Sequence, residues 1–160
     1  MEKEVEAIVK IAKEIMTRYG SHVPMLFIIG EKGKVNTAFP DFGPNHEDKI
    51  RQMANMGVNI AGKHNVGQLK YLIFVVEAWM SIPKGGKITV QPSQDPKRKE
   101  VLIVTTLDVS QDKQEVVIYQ MIRDKWGRLI ELNRRPFSDE ITVESPLLPA
   151  FIAGYNLIKR

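Results

Sequence analysis

The chain has no cysteine, and this absence excludes several kinds of chemistry at once. Disulfide bonds, thiolate zinc sites and cysteine nucleophiles are all ruled out. The three histidines occur in none of the short spacings that hold a catalytic metal ion on a helix. We therefore expect no metal and no cofactor, and the sequence leans against an enzyme without deciding the question.

Long hydrophobic segments are lacking as well. The longest apolar run, residues 72–80, is far too short to cross a bilayer and contains a charged residue, Glu77. The N-terminal segment carries charges at helical spacing and lacks the apolar stretch of a signal peptide. We expect a cytoplasmic protein that makes no contact with a membrane.

Glycine-rich phosphate-binding loops and nucleophile elbows are also absent. Gly30 and Gly33 belong to a predicted hairpin turn, and no glycine-rich loop leads into a lysine followed by serine or threonine. No glycine-flanked serine has the spacing of a hydrolase nucleophile. These absences exclude the common nucleotide-binding and hydrolase motifs.

What the sequence does contain is the composition of a folded protein. Of its 160 residues, 43% are hydrophobic and 26% are charged, which is typical of a domain with an apolar core. This length fits a single α+β domain covering residues 1–160. The net charge of +4 is mildly basic and by itself is typical of a solvated surface.

Hydrophobic periodicity and turn residues predict nine elements in the order αββαββββα. The predicted helices cover residues 3–19, a segment that begins after Asn45 and ends at Gly62, and residues 146–159. The predicted strands cover residues 25–30, 34–39, 70–80, 101–108, 115–123 and 128–134, with a short extra strand at 88–90. Short turns join the late strands, so we expect a mainly antiparallel sheet of about five to six strands with three helices. This order is similar to that of the roadblock and profilin-like domains, a likeness of fold that carries no function.

The second predicted helix has small residues on its apolar stripe, namely Ala54, Gly57 and Ala61. Small side chains allow the backbone of one helix to come close to another element. We therefore expect this stripe to lie at a tight packing contact.

The segment at residues 71–83, YLIFVVEAWMSIP, is the most apolar part of the chain and contains one carboxylate, Glu77. Alternate side chains of a strand point to opposite faces, and both faces are apolar here, so we expect a central strand covered on both sides. A carboxylate in such a strand is costly to bury unless a cation pairs with it. The candidate cations are Arg98, Lys99, Arg123 and Arg134. Alternatively, Glu77 lines a binding pocket, or it is exposed near the end of the strand.

A basic segment broken by prolines follows at residues 92–100, PSQDPKRKE. One interpretation is a turn that leads into a strand whose first residues are charged. The other is an anion contact made by the basic residues 97–99. Together with Arg134 and Arg135, these cations support a weaker hypothesis of nucleic-acid binding.

Trp126 lies in a predicted turn between Lys125 and Arg128. An aromatic ring in such a turn commonly packs over the edge of the sheet. If it is instead exposed between the two cations, it has the chemistry to stack on a base. The sequence leaves both alternatives open.

The two segments around Glu77 and Asp95 together resemble a stretch that recurs in a family of small bacterial proteins of unknown function. In that family a strand ending in Glu-Ala-Trp-Met precedes Pro-Ser-x-Asp-Pro-x-Arg-x-Glu and another apolar strand. The matching positions here are Glu77, Ala78, Trp79, Met80, Pro92, Ser93, Asp95, Pro96, Arg98 and Glu100. The resemblance implies that the two segments belong together, and it implies no activity.

Two principal function hypotheses follow. The first is a non-catalytic binding or regulatory module that self-associates as a homodimer or binds a protein partner. The second is a ligand-binding or catalytic pocket centred on Glu77 and Arg98. The residues predicted to bind in that pocket are Glu77, Trp79, Asp95, Arg98 and Glu100.

Overall fold

The computed structural model describes residues 2–21, 23–43, 45–80, 99–135 and 145–158. The helices are α1 (Glu2–Tyr19), α2 (His46–Lys63) and α3 (Leu147–Ile158). The strands are β1 (Met25–Gly30), β2 (Lys34–Ala38), β3 (Leu69–Met80), β4 (Lys99–Asp108), β5 (Lys113–Arg123) and β6 (Leu129–Arg135). The predicted α+β class and the predicted element order are therefore confirmed. The predicted short strand at residues 88–90 lies outside the described residues.

The strands form one six-stranded sheet in the order β2-β1-β3-β4-β5-β6. Strands β1 and β2 pair antiparallel, with Met25 opposite Ala38, as the predicted hairpin requires. Strands β5 and β6 also pair antiparallel, with Tyr119 opposite Arg134. Strand β3 lies between β1 and β4 and is therefore a central strand, as its apolar sequence predicts.

The chain divides into two compact units. The first consists of Met1–Val23, Val75–Val104 and Val117–Asp139. Its helix, α1, lies against β6. The buried residues of α1 recur at three- and four-residue spacing, which is the apolar stripe of an amphipathic helix. These residues are Val5, Ile8, Ala12 and Met16.

The second unit consists of Pro24–Phe74, Thr105–Val116 and Glu140–Arg160. Its helix α2 begins as predicted, because the side-chain oxygen of Asn45 accepts a hydrogen bond from the backbone N–H of Glu47 at 2.8 Å. This bond satisfies one of the backbone donors that a helix leaves unpaired at its start.

Helices α2 and α3 cross within the second unit at two glycines. A Cβ atom built on Gly57 would collide with the backbone carbonyl of Phe151, and one built on Gly154 would collide with the carbonyl of Ala54. The two backbones are therefore in direct contact, which only residues without a side chain allow. The close approach predicted from the small residues of the second helix is confirmed.

Candidate functional site

The residues predicted to form a pocket fall on β3, on β4 and outside the described part of the chain. Glu77 and Trp79 lie two residues apart on β3 and so share one face of that strand. Glu100 lies near the start of β4. Asp95 and Arg98 lie outside the described residues, so the predicted pairing of Arg98 with Glu77 stays a prediction.

The expectation that β3 is covered on both sides is correct only for residues 72–75. Residues 72–75 are all buried, and they include side chains of both faces. Residues 76–78 are half-buried, and Trp79 is 45% exposed. The alternation of apolar side chains identifies the two faces of a strand, but it does not show along how many residues other elements bury those faces. Glu77 therefore meets a smaller desolvation cost than a fully buried carboxylate would.

Arg123, on β5, donates four hydrogen bonds within the first unit. Its Nε donates to Glu100 Oε2 at 2.7 Å and its Nη2 donates to Glu100 Oε1 at 3.3 Å, so the pair is bidentate. Its Nη1 donates to the carbonyl of Gly127 at 2.9 Å, and its Nη2 donates to the carbonyl of Gly20 at 3.2 Å. The guanidinium thus joins β4, the turn after β5 and the end of α1.

The same contacts explain the charge state of Arg123. The hydrogen bonds that Arg123 donates to Glu100 raise the pKa of Arg123, and the negative charges of Glu100 and Glu77 raise it further, against the opposing effect of burial. Both side chains of the ion pair are mostly buried, at 21% exposure for Arg123 and 28% for Glu100. Glu100, which the sequence places among the binding residues, is therefore engaged in a structural ion pair.

The turn between β5 and β6 is held by the carboxylate of Asp124. Its Oδ1 accepts hydrogen bonds from the backbone N–H of Trp126 at 2.9 Å and of Arg128 at 3.0 Å. Its Oδ2 accepts one from Arg128 Nε at 3.0 Å. These hydrogen bonds lower the pKa of Asp124, and the bond from the backbone N–H of Arg128 has the largest effect. Gly127 supplies the positive φ of 81° that the turn requires.

This turn leaves Trp126 68% exposed. The ammonium of Lys125 lies 4.3 Å from the centre of its ring, and the guanidinium carbon of Arg128 lies 5.0 Å from it. Of the two alternatives for Trp126, the structure matches the exposed ring flanked by cations. A cation over an aromatic ring is a favourable contact even without a ligand.

A cleft of about 490 Å³ lies in the second unit, beside the last turns of α3. Its lining residues are Lys32, Asn65, Gly67, Gln68, Leu69, Val109, Ile152, Tyr155 and Asn156. These residues come from four separate stretches of the chain, and none of them belongs to a recognisable motif. Sequence reasoning misses this site because no local pattern marks it.

Tyr155 fixes one wall of this cleft. Its hydroxyl donates a hydrogen bond to the backbone carbonyl of Gly67 at 2.5 Å. Burial raises the pKa of Tyr155, so the side chain remains a neutral donor. Helix α3 and the loop that precedes β3 are thereby tied together.

Helix α3 also exposes an apolar surface. Its buried side is formed by Leu148, Phe151, Gly154 and Tyr155. Pro149, Ala153 and Leu157 are exposed at four-residue spacing, and we call these three residues the outer face of α3. Leu157 is 66% exposed, and Leu147–Ile158 contains no charged residue.

The described residues contain no group of three or more side chains placed to hold a metal ion. None of the helices in the described ranges is long and apolar enough to cross a membrane. No protein-family model, no curated protein and no solved structure matches this chain. We therefore infer function from the contacts, exposure and charge of the described residues.

Proposed function

We propose that the protein is a non-catalytic binding or regulatory module that self-associates as a homodimer through the outer face of α3. The observation that carries this proposal is an uncharged helix with Pro149, Ala153 and Leu157 exposed on one side. Apolar side chains exposed together on one side of an uncharged helix are a feature of interaction sites.

A second copy of the same chain fits this face for two reasons. A two-fold dimer places the same patch of both copies in contact, so an apolar face meets an apolar face. Two copies that each carry a net charge of +4 repel each other. Contact through α3, which has no charged residue, brings no like charges of that helix together. Burial of Leu157 then contributes about 25 cal/mol for each Å² of apolar surface removed from water.

The size of the face predicts a weak dimer. A helix of 12 residues is about 18 Å long, and with a width of about 10 Å it covers a footprint on the order of 200 Å². A stable complex buries about 800 Å² on each partner. We therefore expect association in the micromolar range or weaker, with a fraction of dimer that rises with protein concentration.

Sedimentation velocity from about 5 to about 500 µM protein tests the proposal. Leu157→Lys should abolish dimer formation, because it places two cations in the contact. Ile11→Lys is the matched control, since it makes the same charge change at a 46% exposed position of α1. A wild-type protein that is monomeric at the highest concentration would refute the proposal. Equal association of the two variants would also refute it.

A second candidate function is the binding of single-stranded nucleic acid at the turn between β5 and β6. The exposed ring of Trp126 between Lys125 and Arg128 supports it, because stacking of a base on an aromatic side chain contributes about 1–3 kcal/mol. In Trp79→Phe, Trp126 is the one remaining tryptophan of the two in the chain. Quenching of its fluorescence by oligothymidylate, weakened by added salt, is expected. Unchanged fluorescence at low salt would exclude this candidate.

A further inference from the structure

We propose that the cleft beside α3 binds a small polyhydroxylated anion, such as a sugar acid or a sugar phosphate. Its volume of about 490 Å³ lies within the range of small-molecule sites in proteins. The outer face of α3 points to self-association and does not include this cleft, so the two proposals stand or fall separately.

The floor of the cleft is apolar and firmly held. Leu69 and Tyr155 are buried there, and Val109 and Ile152 are half-buried. Besides the bond from Tyr155 to the loop, the backbone N–H of Lys32 donates to the carbonyl of Val66 at 2.8 Å. A floor held by such bonds is preorganised, so a ligand loses little affinity to the ordering of the protein.

Three side-chain amides surround this floor, on Asn65, Gln68 and Asn156. Each amide carries one acceptor oxygen and two N–H donors. Among the described residues, the structure gives none of these three side chains a hydrogen-bond partner. A hydroxyl group both donates and accepts, so a ligand with several hydroxyls matches three convergent amides better than a purely apolar molecule does.

Lys32 gives the cleft its charge. It is the one ionisable side chain other than Tyr155 among the lining residues, and no carboxylate lines the cleft. Gly67 has a φ of +73°, and a Cβ atom added there would lie 3.0 Å from Cγ of Lys32. The stem of Lys32 therefore passes directly over this glycine. A single cation and no anion favour a ligand with one negative group.

The test is a titration followed by the side-chain amide signals of Asn65, Gln68 and Asn156 in ¹H–¹⁵N NMR spectra. The probes are D-glucuronate, D-glucose 6-phosphate, D-glucose and inorganic phosphate. We expect saturable shifts with at least one of the two sugar anions, with a dissociation constant of about 1 mM or tighter. Saturation by glucuronate alone assigns a sugar acid, and saturation by glucose 6-phosphate alone assigns a sugar phosphate.

Lys32→Met should weaken binding of the sugar anion about tenfold, corresponding to about 1.4 kcal/mol, and leave the affinity for glucose unchanged. Lys13→Met, an exposed lysine of α1 in the first unit, is the control and should have no effect. The proposal is overturned if no probe gives saturable shifts at about 20 mM. It is also overturned if glucose or inorganic phosphate binds as well as the sugar anions, or if Lys32→Met binds them like wild type.

Discussion

Substitution of Gly57 by alanine tests the crossing of α2 and α3 most directly. The added Cβ atom would collide with two backbone atoms of α3, the carbonyl oxygen of Phe151 and the nitrogen of Tyr155. Gly62 provides a control within the same helix, because a Cβ atom there meets nothing within 4 Å. The two variants make the same chemical change, so they differ only in what surrounds the new methyl group.

Gly57→Ala and Gly62→Ala are expected to change the free energy of unfolding in opposite directions. Alanine is more favourable than glycine in a helix by about 1 kcal/mol, and this gain applies in principle to both positions. At Gly62, one residue before the end of α2, we expect a stabilisation of about 0.5 kcal/mol. At Gly57 overpacking costs about 1–3 kcal/mol or more, and the obstructing atoms are backbone atoms that cannot rotate away. The net result should be a destabilisation of about 1–3 kcal/mol.

Urea denaturation followed by circular dichroism measures both variants. Gly154→Ala should resemble Gly57→Ala, and the double variant should cost less than the sum of the two. Once the helices have separated to accept one methyl group, the second meets less resistance. A transition midpoint for Gly57→Ala at or above that of wild type would refute the backbone contact. Additive costs would show that the two glycines do not share one contact.

Three further predictions follow from the polar contacts. Glu100→Gln should cost about 1–2 kcal/mol in urea denaturation, because Glu100 makes a mostly buried bidentate pair with Arg123. Glu115→Gln should cost less, because the ion pair of Glu115 with Lys113 is exposed, and the reverse order would contradict this. Tyr155→Phe should cost about 1 kcal/mol through its lost hydrogen bond. Folding raises the pKa of Tyr155, so the stability that the neutral side chain contributes is present below the unfolded pKa of 10.0 and is lost as pH rises through the folded pKa. Tyr155→Phe should therefore lose less stability in alkali than wild type does. Asp124→Asn should lower stability at neutral pH and flatten its acid dependence. Folding lowers the pKa of Asp124 from 3.8, so the stability that its carboxylate contributes is present above about pH 3.8 and is lost as pH falls through the lowered, folded pKa. Identical acid transitions of the variant and wild type would contradict this.

The elements of this fold can be predicted from the sequence because their signals are local. Four buried residues of α1 recur at helical spacing, and Asn45 is a capping residue directly before an apolar stripe. The tight crossing of α2 follows in the same way, because Gly57 lies on the apolar side of its helix. For α1 and the start of α2 the physical cause lies within one or two turns of chain, whereas the helix that packs on Gly57 is far away in the sequence.

The candidate sites are harder to predict because their causes are not local. The ion pair between Arg123 and Glu100 joins residues 23 positions apart on neighbouring strands, and it depends on a register that the sequence does not specify. The cleft beside α3 brings together Lys32, Asn65 and Asn156, whose positions are set only by the packed fold. Helix and strand patterns identify the core-facing residues, whereas Lys32, Asn65 and Asn156 are exposed and follow no such period.

The contacts of Arg123 decide what chemistry the region around Glu77 can support. A guanidinium has five N–H donors, and four of those of Arg123 are accounted for by Glu100, Gly127 and Gly20. An anionic ligand would therefore have to displace Glu100 to gain a bidentate contact, and it would leave that mostly buried carboxylate without its partner. This mostly buried ion pair thus joins two strands of the first unit and is a structural contact. Self-association through α3 does not compete with any described contact of this kind, so it is the hypothesis to test first.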